Sequence, residues 1–153
     1  GIKWVNDVLW NGQKIAGSLV ATRIRNHRVK DILIGIGVNI ESAPEISGNG
    51  HMPAACLRKI PGCEDVTWST MLKSITKAID HRLGQLIQEG PEELYTNYLA
   101  RSSIIGHRVQ LWPIEEFSRP FAAGTVMKID ANLRLHLDTQ DHPIAEARLT
   151  LNP

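Results

Sequence analysis

Asn6-Asp7, Lys14 and Gly17 bring a carboxamide, a carboxylate and an ammonium into one short stretch of chain. A second block, Ile34-Gly35-Ile36-Gly37-Val38-Asn39-Ile40, adds two glycines and another carboxamide. An aspartate delivered by an extended segment can ligate Mg²⁺ through one or two oxygens, with phosphate oxygens and water filling the remaining positions. A lysine flanked by small residues is a compact point charge suited to a carboxylate or a phosphoryl oxygen. Glycines inside a strand cost stability and often mark a close approach by a ligand or another backbone. The combination is the equipment of a site that handles a phosphate and a metal.

Each residue also has a plainer use. Asn-Asp pairs cap turns readily. A lysine on a strand edge guards against aggregation. Glycines in a strand serve bulges or tight packing against a helix. The pattern contains no Walker-type phosphate loop, and Gly35-Ile36-Gly37 lacks the third glycine of a dinucleotide fingerprint. The six histidines are scattered and form no ligand set.

The elements that must position these residues follow from the pattern. Residues 2–5 read as a short buried strand that ends at Asn6-Asp7. Asn11-Gly12 between apolar runs predicts a hairpin. Alternation on its second strand predicts Lys14 and Ala16 on one face. A turn at Asn26-His27 leads into residues 29–40, whose unbroken apolar run predicts a central strand covered on both faces. Gly35, Gly37 and Asn39 share one row of that strand. Residues 41–66 are rich in Pro, Gly, Ser and Asn and read as a long loop, functional or mobile. Residues 67–89 carry an apolar stripe at helical spacing, capped by Asp65 or Thr67 and stopped by Gly90-Pro91. A second helix runs from about Pro91 to Ala100, with Tyr95 and Tyr98 on its inner face. From Ile104 the pattern turns to short strands at 106–112, 121–129, 133–138 and 144–151, which predict a small barrel. The boundary falls near Arg101–Ile105.

At 153 residues and a formal net charge of +1, the chain has the size of one ordinary domain and no global field toward nucleic acid or an anionic membrane. No apolar run reaches the length of a membrane span. Cys56 and Cys63 lack zinc-site spacing and read as reduced thiols of a cytoplasmic protein. The chain opens in a strand, with no charged-then-apolar leader, which points to an N-terminal truncation.

Lys3-Trp4-Val5-Asn6-Asp7, then Lys14-Ile15-Ala16-Gly17, then Ile34-Gly35-Ile36-Gly37-Val38-Asn39 resemble, in order and spacing, the signature run of the biotin protein ligases. The helices and the terminal strands match the rest of that family's C-terminal half in pattern. The resemblance implies an α+β fold: a partial mixed β-sheet with packed helices, like class II synthetases and biotin/lipoyl ligases, over residues 1–103, then an SH3-like barrel over 104–153. It implies formation of biotinyl-5′-adenylate from biotin, ATP and Mg²⁺, then transfer to a lysine of a biotin carboxyl carrier domain. On matching positions, Asp7 would hold the metal, and Asn6 and Asn39 would orient phosphate and metal. Lys14 would contact the biotin carboxylate and the α-phosphate, and Gly17, Gly35 and Gly37 would let ligand lie against backbone. Two departures stand out. Val5 takes the place of the family's usual proline, and the family's Gly/Arg-rich biotin loop has no counterpart in residues 1–153. Little activity is therefore expected of this chain alone. Two alternatives are a non-catalytic module, pairing with itself or with a separate N-terminal half, and a lipoate-type acyl ligase.

Overall fold

The computed structural model describes residues 1–45, 52–114 and 119–151. Its first half is an antiparallel sheet of β1 (Ile2–Lys3), β2 (Asp7–Trp10), β3 (Gln13–Arg25) and β4 (Arg28–Val38), in the order β1-β2-β3-β4. Two tight turns set its register. Asn11 and Gly12 have φ of 46° and 75°, and Asn26 and His27 have 51° and 58°. Two successive positive φ values give the turn whose twist matches the flanking strands, and Asn and Gly enter it most easily. The Trp4–Val5 peptide bond between β1 and β2 is cis.

Helix α1 (Trp68–Glu89) starts at a capping box in which Thr67 and Thr70 each satisfy the other's backbone N–H. It stops at Gly90, whose φ of 85° few other residues adopt. Helix α2 (Glu92–Ala100) follows, with Pro91 at its start. The second sheet consists of β5 (Arg108–Trp112), β6 (Ala122–Ile129), β7 (Leu135–Leu137) and β8 (Arg148–Leu151), in the order β7-β6-β5-β8. The main hydrophobic core sits here. Ile104, Val109, Leu111, Val126, Ile129 and Leu135 are buried together, and Trp4 reaches in from the first sheet to join them. The indole Nε1 of Trp4 donates to the Leu133 carbonyl at 2.7 Å. Tyr95 and Tyr98 face inward as expected, donating to the carbonyls of Ile129 at 2.7 Å and Val5 at 3.3 Å.

The α+β architecture agrees with the sequence, and four of its expectations need correction. The strand ladders are antiparallel throughout, and the parallel pairings are isolated bridges at Ile2–Ser102 and Lys14–Ala54. Strand β4 lies at the sheet's edge and is not covered: Ile32, Leu33 and Ile34 are exposed, as is Leu19 at 76 % across the ladder on β3. Likewise, no residue of α1 is buried, and Ile87 is 83 % exposed. The apolar stripe and the apolar run are real, but among the described residues both stay largely uncovered, with Leu94 of α2 beside part of the stripe. Finally, the return of the 41–66 segment is ordered backbone, not plain loop. Lys14 N–H donates to Pro53 at 2.9 Å, Ala55 N–H to Lys14 at 2.9 Å, and Leu57 N–H to Asn39 at 2.8 Å, burying Ala55, Cys56 and Leu57. Residues 46–51 of this segment lie outside the described residues. Cys56 and Cys63 are free thiols. No helix among the described residues is long and apolar enough to cross a membrane.

Candidate functional site

Asp7 opens β2 directly after the turn that follows β1 and pairs with Lys3 across the ladder. Lys14 lies near the start of β3. Simple alternation would set Lys14 and Gly17 on opposite faces, but the register breaks between them. Val8 opposes Ala16 while Leu9 opposes Lys14, leaving Ile15 as an extra residue. This bulge swings Lys14 round over Gly17. A methyl group built on Gly17 would stand 3.1 Å from Asp7 Oδ1 and 3.1 Å from Lys14 Cε. Lys14 and Ala16 both line the hollow described next, and the bulge adds Gly17 to the group as a Lys14–Gly17–Asp7 arrangement.

The result is a short chain of charges. Lys3 Nζ lies 2.9 Å from Asp7 Oδ2, and Lys14 Nζ lies 2.5 Å from Asp7 Oδ1. Lys3 is nearly buried, at 8 % exposure, whereas the Lys14 side chain is 39 % exposed. Burial alone would push the Asp7 carboxyl up. The hydrogen bonds and charges of Lys14 and Lys3 outweigh it and hold the group below the ordinary carboxylate range.

Asn6, Asp7, Lys14, Gly17, Gly35, Gly37 and Asn39 all line one hollow of about 630 Å³, so every residue singled out in the sequence meets there. Asp7, Gly17 and Gly37 are successive partners across β2, β3 and β4. Gly35 opposes Leu19 one step further along. Methyl groups built on Gly35 and Gly37 meet nothing closer than 3.8 Å and 4.0 Å. Packing within the chain therefore does not require those two glycines. Both glycines instead leave open floor along the hollow.

The two asparagines do more building than the sequence suggests. The Asn6 amide nitrogen donates to the Ser18 carbonyl. The Asn39 amide nitrogen donates to Lys14 O at 3.3 Å and Ala55 O at 3.1 Å, clamping β4, β3 and the 53–57 segment together beneath Lys14. With the nitrogens so engaged, the amide oxygens are what each could offer a ligand. Lys3 is the member of this charge chain that the sequence did not single out as a site residue. Its spacing from Asp7 was visible, but its burial was not.

Comparison with known proteins now bears on this geometry. Residues 1–39, which carry every residue of the hollow named above, match the biotin/lipoate A/B protein ligase family. The biotin--[acetyl-CoA-carboxylase] ligase of Mycobacterium tuberculosis is 30% identical over 138 residues, 90% of this chain and 47% of that protein. The enzyme of the same name from Paracoccus denitrificans is 31% identical over 110 residues, 71% of this chain and 45% of that protein.

The chain is similar to the biotin protein ligases over most of its length.

It spans about half the length of these relatives. The fold agrees: the apo biotin protein ligase of Aquifex aeolicus superimposes with a TM-score of 0.72 at 21% identity, over 99% of this chain and 64% of that one. The same enzyme in complex with biotin and ATP gives 0.69 over 99% of this chain and 61% of that one, again at 21% identity. The biotin protein ligase signature thus coincides with the glycine-floored hollow and its charge chain.

Proposed function

We propose that this chain is the C-terminal part of an ATP-dependent biotin protein ligase, with residues 1–103 completing the catalytic domain and 104–153 forming an SH3-like domain. The observation that carries the reading is the Lys14 ammonium, poised half-exposed over Gly17 at the head of the bare Gly35/Gly37 row. A biotin carboxylate and the α-phosphate of ATP both seek such a cation. Attack of the carboxylate on that phosphate builds negative charge on the phosphoryl oxygens as pyrophosphate leaves. A fixed ammonium stabilises that charge more than it stabilises the bound reactants. Gly17, Gly35 and Gly37 let the flat ligand rest on backbone. Transfer of the biotinyl group to a carrier-domain lysine completes the cycle, and the cytoplasm is its proposed place.

The residues fit Mg²⁺ in a limited sense. Among the described residues Asp7 is the one carboxylate lining the hollow, and no cluster of three or more acidic, His or Cys side chains gathers. Both its oxygens already face ammonium groups, so a dication arriving without phosphate would meet net positive charge. Asp7 would hold the metal only together with the triphosphate, with the oxygens of Asn6 and Asn39 near at hand. Bound in that way, Mg²⁺ supplies neutralisation of phosphate charge.

The test has two arms. Residues 1–153 alone should form little or no biotinyl-adenylate from biotin and ATP, and robust formation would refute that part. In a protein that also carries the preceding segment, Lys14→Ala should lower adenylate formation by roughly a hundredfold or more. An unchanged rate would remove Lys14 from the chemistry. Calorimetry with biotin against lipoate separates the two acids.

A second reading has its own support. Leu19, Leu33 and the α1 stripe are apolar and uncovered, and Ile75, Ile79, Leu83, Leu86 and Leu94 line a hollow of about 300 Å³ between the helices. Such surfaces favour a partner, either a second copy or a separate N-terminal half. Sedimentation of a strictly monomeric, well-folded chain would count against self-association.

A further inference from the structure

The two lysines that share Asp7 are not equivalent. Lys14 is half-exposed and lines the hollow, whereas Lys3 is nearly buried, and its ammonium is held by Asp7. A buried lysine is costly unless paired, so Lys3 and Asp7 form the permanent couple. Lys14 takes the remaining oxygen.

We propose that Lys3 is a positioning residue of this site: it keeps Asp7 satisfied and half-neutralised, so that Lys14 can leave the carboxylate for an incoming anion. Without Lys3, Lys14 would be the sole counter-ion of a largely buried carboxylate, and moving it would strand that charge. With Lys3 in place, the cluster of two ammonium groups and one carboxylate carries a net +1, and Lys14 moves at little cost. The oxygen it vacates, Oδ1, is the one aimed into the hollow, beside Gly17. Gly17 is part of the device, because a side chain there would stand between the carboxylate and the ammonium. The inference rests on the hollow being an anion site, as under the proposed function. It does not require that the anion be part of biotin or ATP.

The test is metal-free binding of inorganic pyrophosphate to residues 1–153, followed by calorimetry, with thermal melts to confirm folding. Lys3→Met should weaken binding about tenfold, since Lys14 is then locked to Asp7. Lys3→Arg, which keeps the charge, should restore it to within about threefold of the native chain. Asp7→Asn should tighten binding several-fold by releasing Lys14. A mere loosening of the site would weaken binding in all three, and a mere change of net charge would return the double variant Lys3→Met/Asp7→Asn to the native affinity; the device instead leaves that double variant nearly as tight as Asp7→Asn, because Lys14 is free in both. If Lys3→Met does not fold, Lys3→Gln carries the same expectation. Equal affinities for the native chain and Lys3→Met overturn the proposal. So does weakening by Asp7→Asn, or a native chain that binds no pyrophosphate. If the series behaves as stated while biotin and ATP yield no adenylate in the longer protein, the device stands and the ligase reading fails.

Discussion

Gly35→Ala and Gly37→Ala should make the sheet firmer and the site worse. The nearest atoms to an added methyl are backbone oxygens, Leu19 O at 3.8 Å and Gly17 O at 4.0 Å. Those are ordinary contacts. Neither glycine is among those with positive φ, so alanine fits the backbone without strain. Replacing a strand glycine then removes backbone freedom from the opened chain, worth about 0.5–1 kcal/mol per site. If β3 and β4 open locally, amide exchange at their paired residues should slow by about twofold to fivefold for each substitution. Biotin binding should move the other way, losing about tenfold, because each methyl occupies floor that the ligand would rest on. Exchange measured by mass spectrometry or NMR, with calorimetry for biotin, reads both effects. Faster exchange would show that the backbone needs glycine there. Slower exchange with unchanged biotin affinity would show that nothing lies on the floor, and the ligand argument for these glycines would fall.

Further expectations concern the supports of the site. Trp4→Phe deprives the Leu133 carbonyl of its indole donor and should cost about 1–3 kcal/mol in urea unfolding; a change under about 0.5 kcal/mol would deny the anchor its role. Asp7 is held below its unfolded value, so its contribution to stability is present above that value and lost as pH falls through the folded one. The stability gap between the native chain and Asp7→Asn should therefore be full near neutrality and shrink below about pH 4, as tracked by urea midpoints; a gap that is flat with pH would contradict the ion pairs. Burial pushes the Tyr98 hydroxyl up to about 12. In a Tyr95→Phe background, phenolate absorbance should accordingly rise only around that pH, and titration near 10 would place Tyr98 in solvent.

The residues of the hollow were legible because their chemistry and their neighbours in sequence coincide. Asn11-Gly12 and Asn26-His27 announce the turns, and the turns dictate which residues of β2, β3 and β4 face one another. The α1 boundaries were equally readable from Thr67 and Gly90, since caps are local. What escaped detection depends on distant chain or on a single slipped residue. The bulge at Ile15 leaves no mark in composition, yet it decides which face Lys14 occupies. The 53–57 segment pairs with Lys14 through backbone groups that every residue carries. Periodicity in α1 and β4 correctly reported surfaces that want cover, but not whether the cover lies within these 153 residues.

The indole of Trp4, which donates to the carbonyl of Leu133, ties the turn before Asp7 to the second sheet. Severing the chain after residue 103 would leave a large aromatic ring bare to water and untether the loop that carries the acid. The terminal fifty residues are thus a foundation for the charged cluster, and an engineered fragment that discards them would give up most of the core together with the aim of the site.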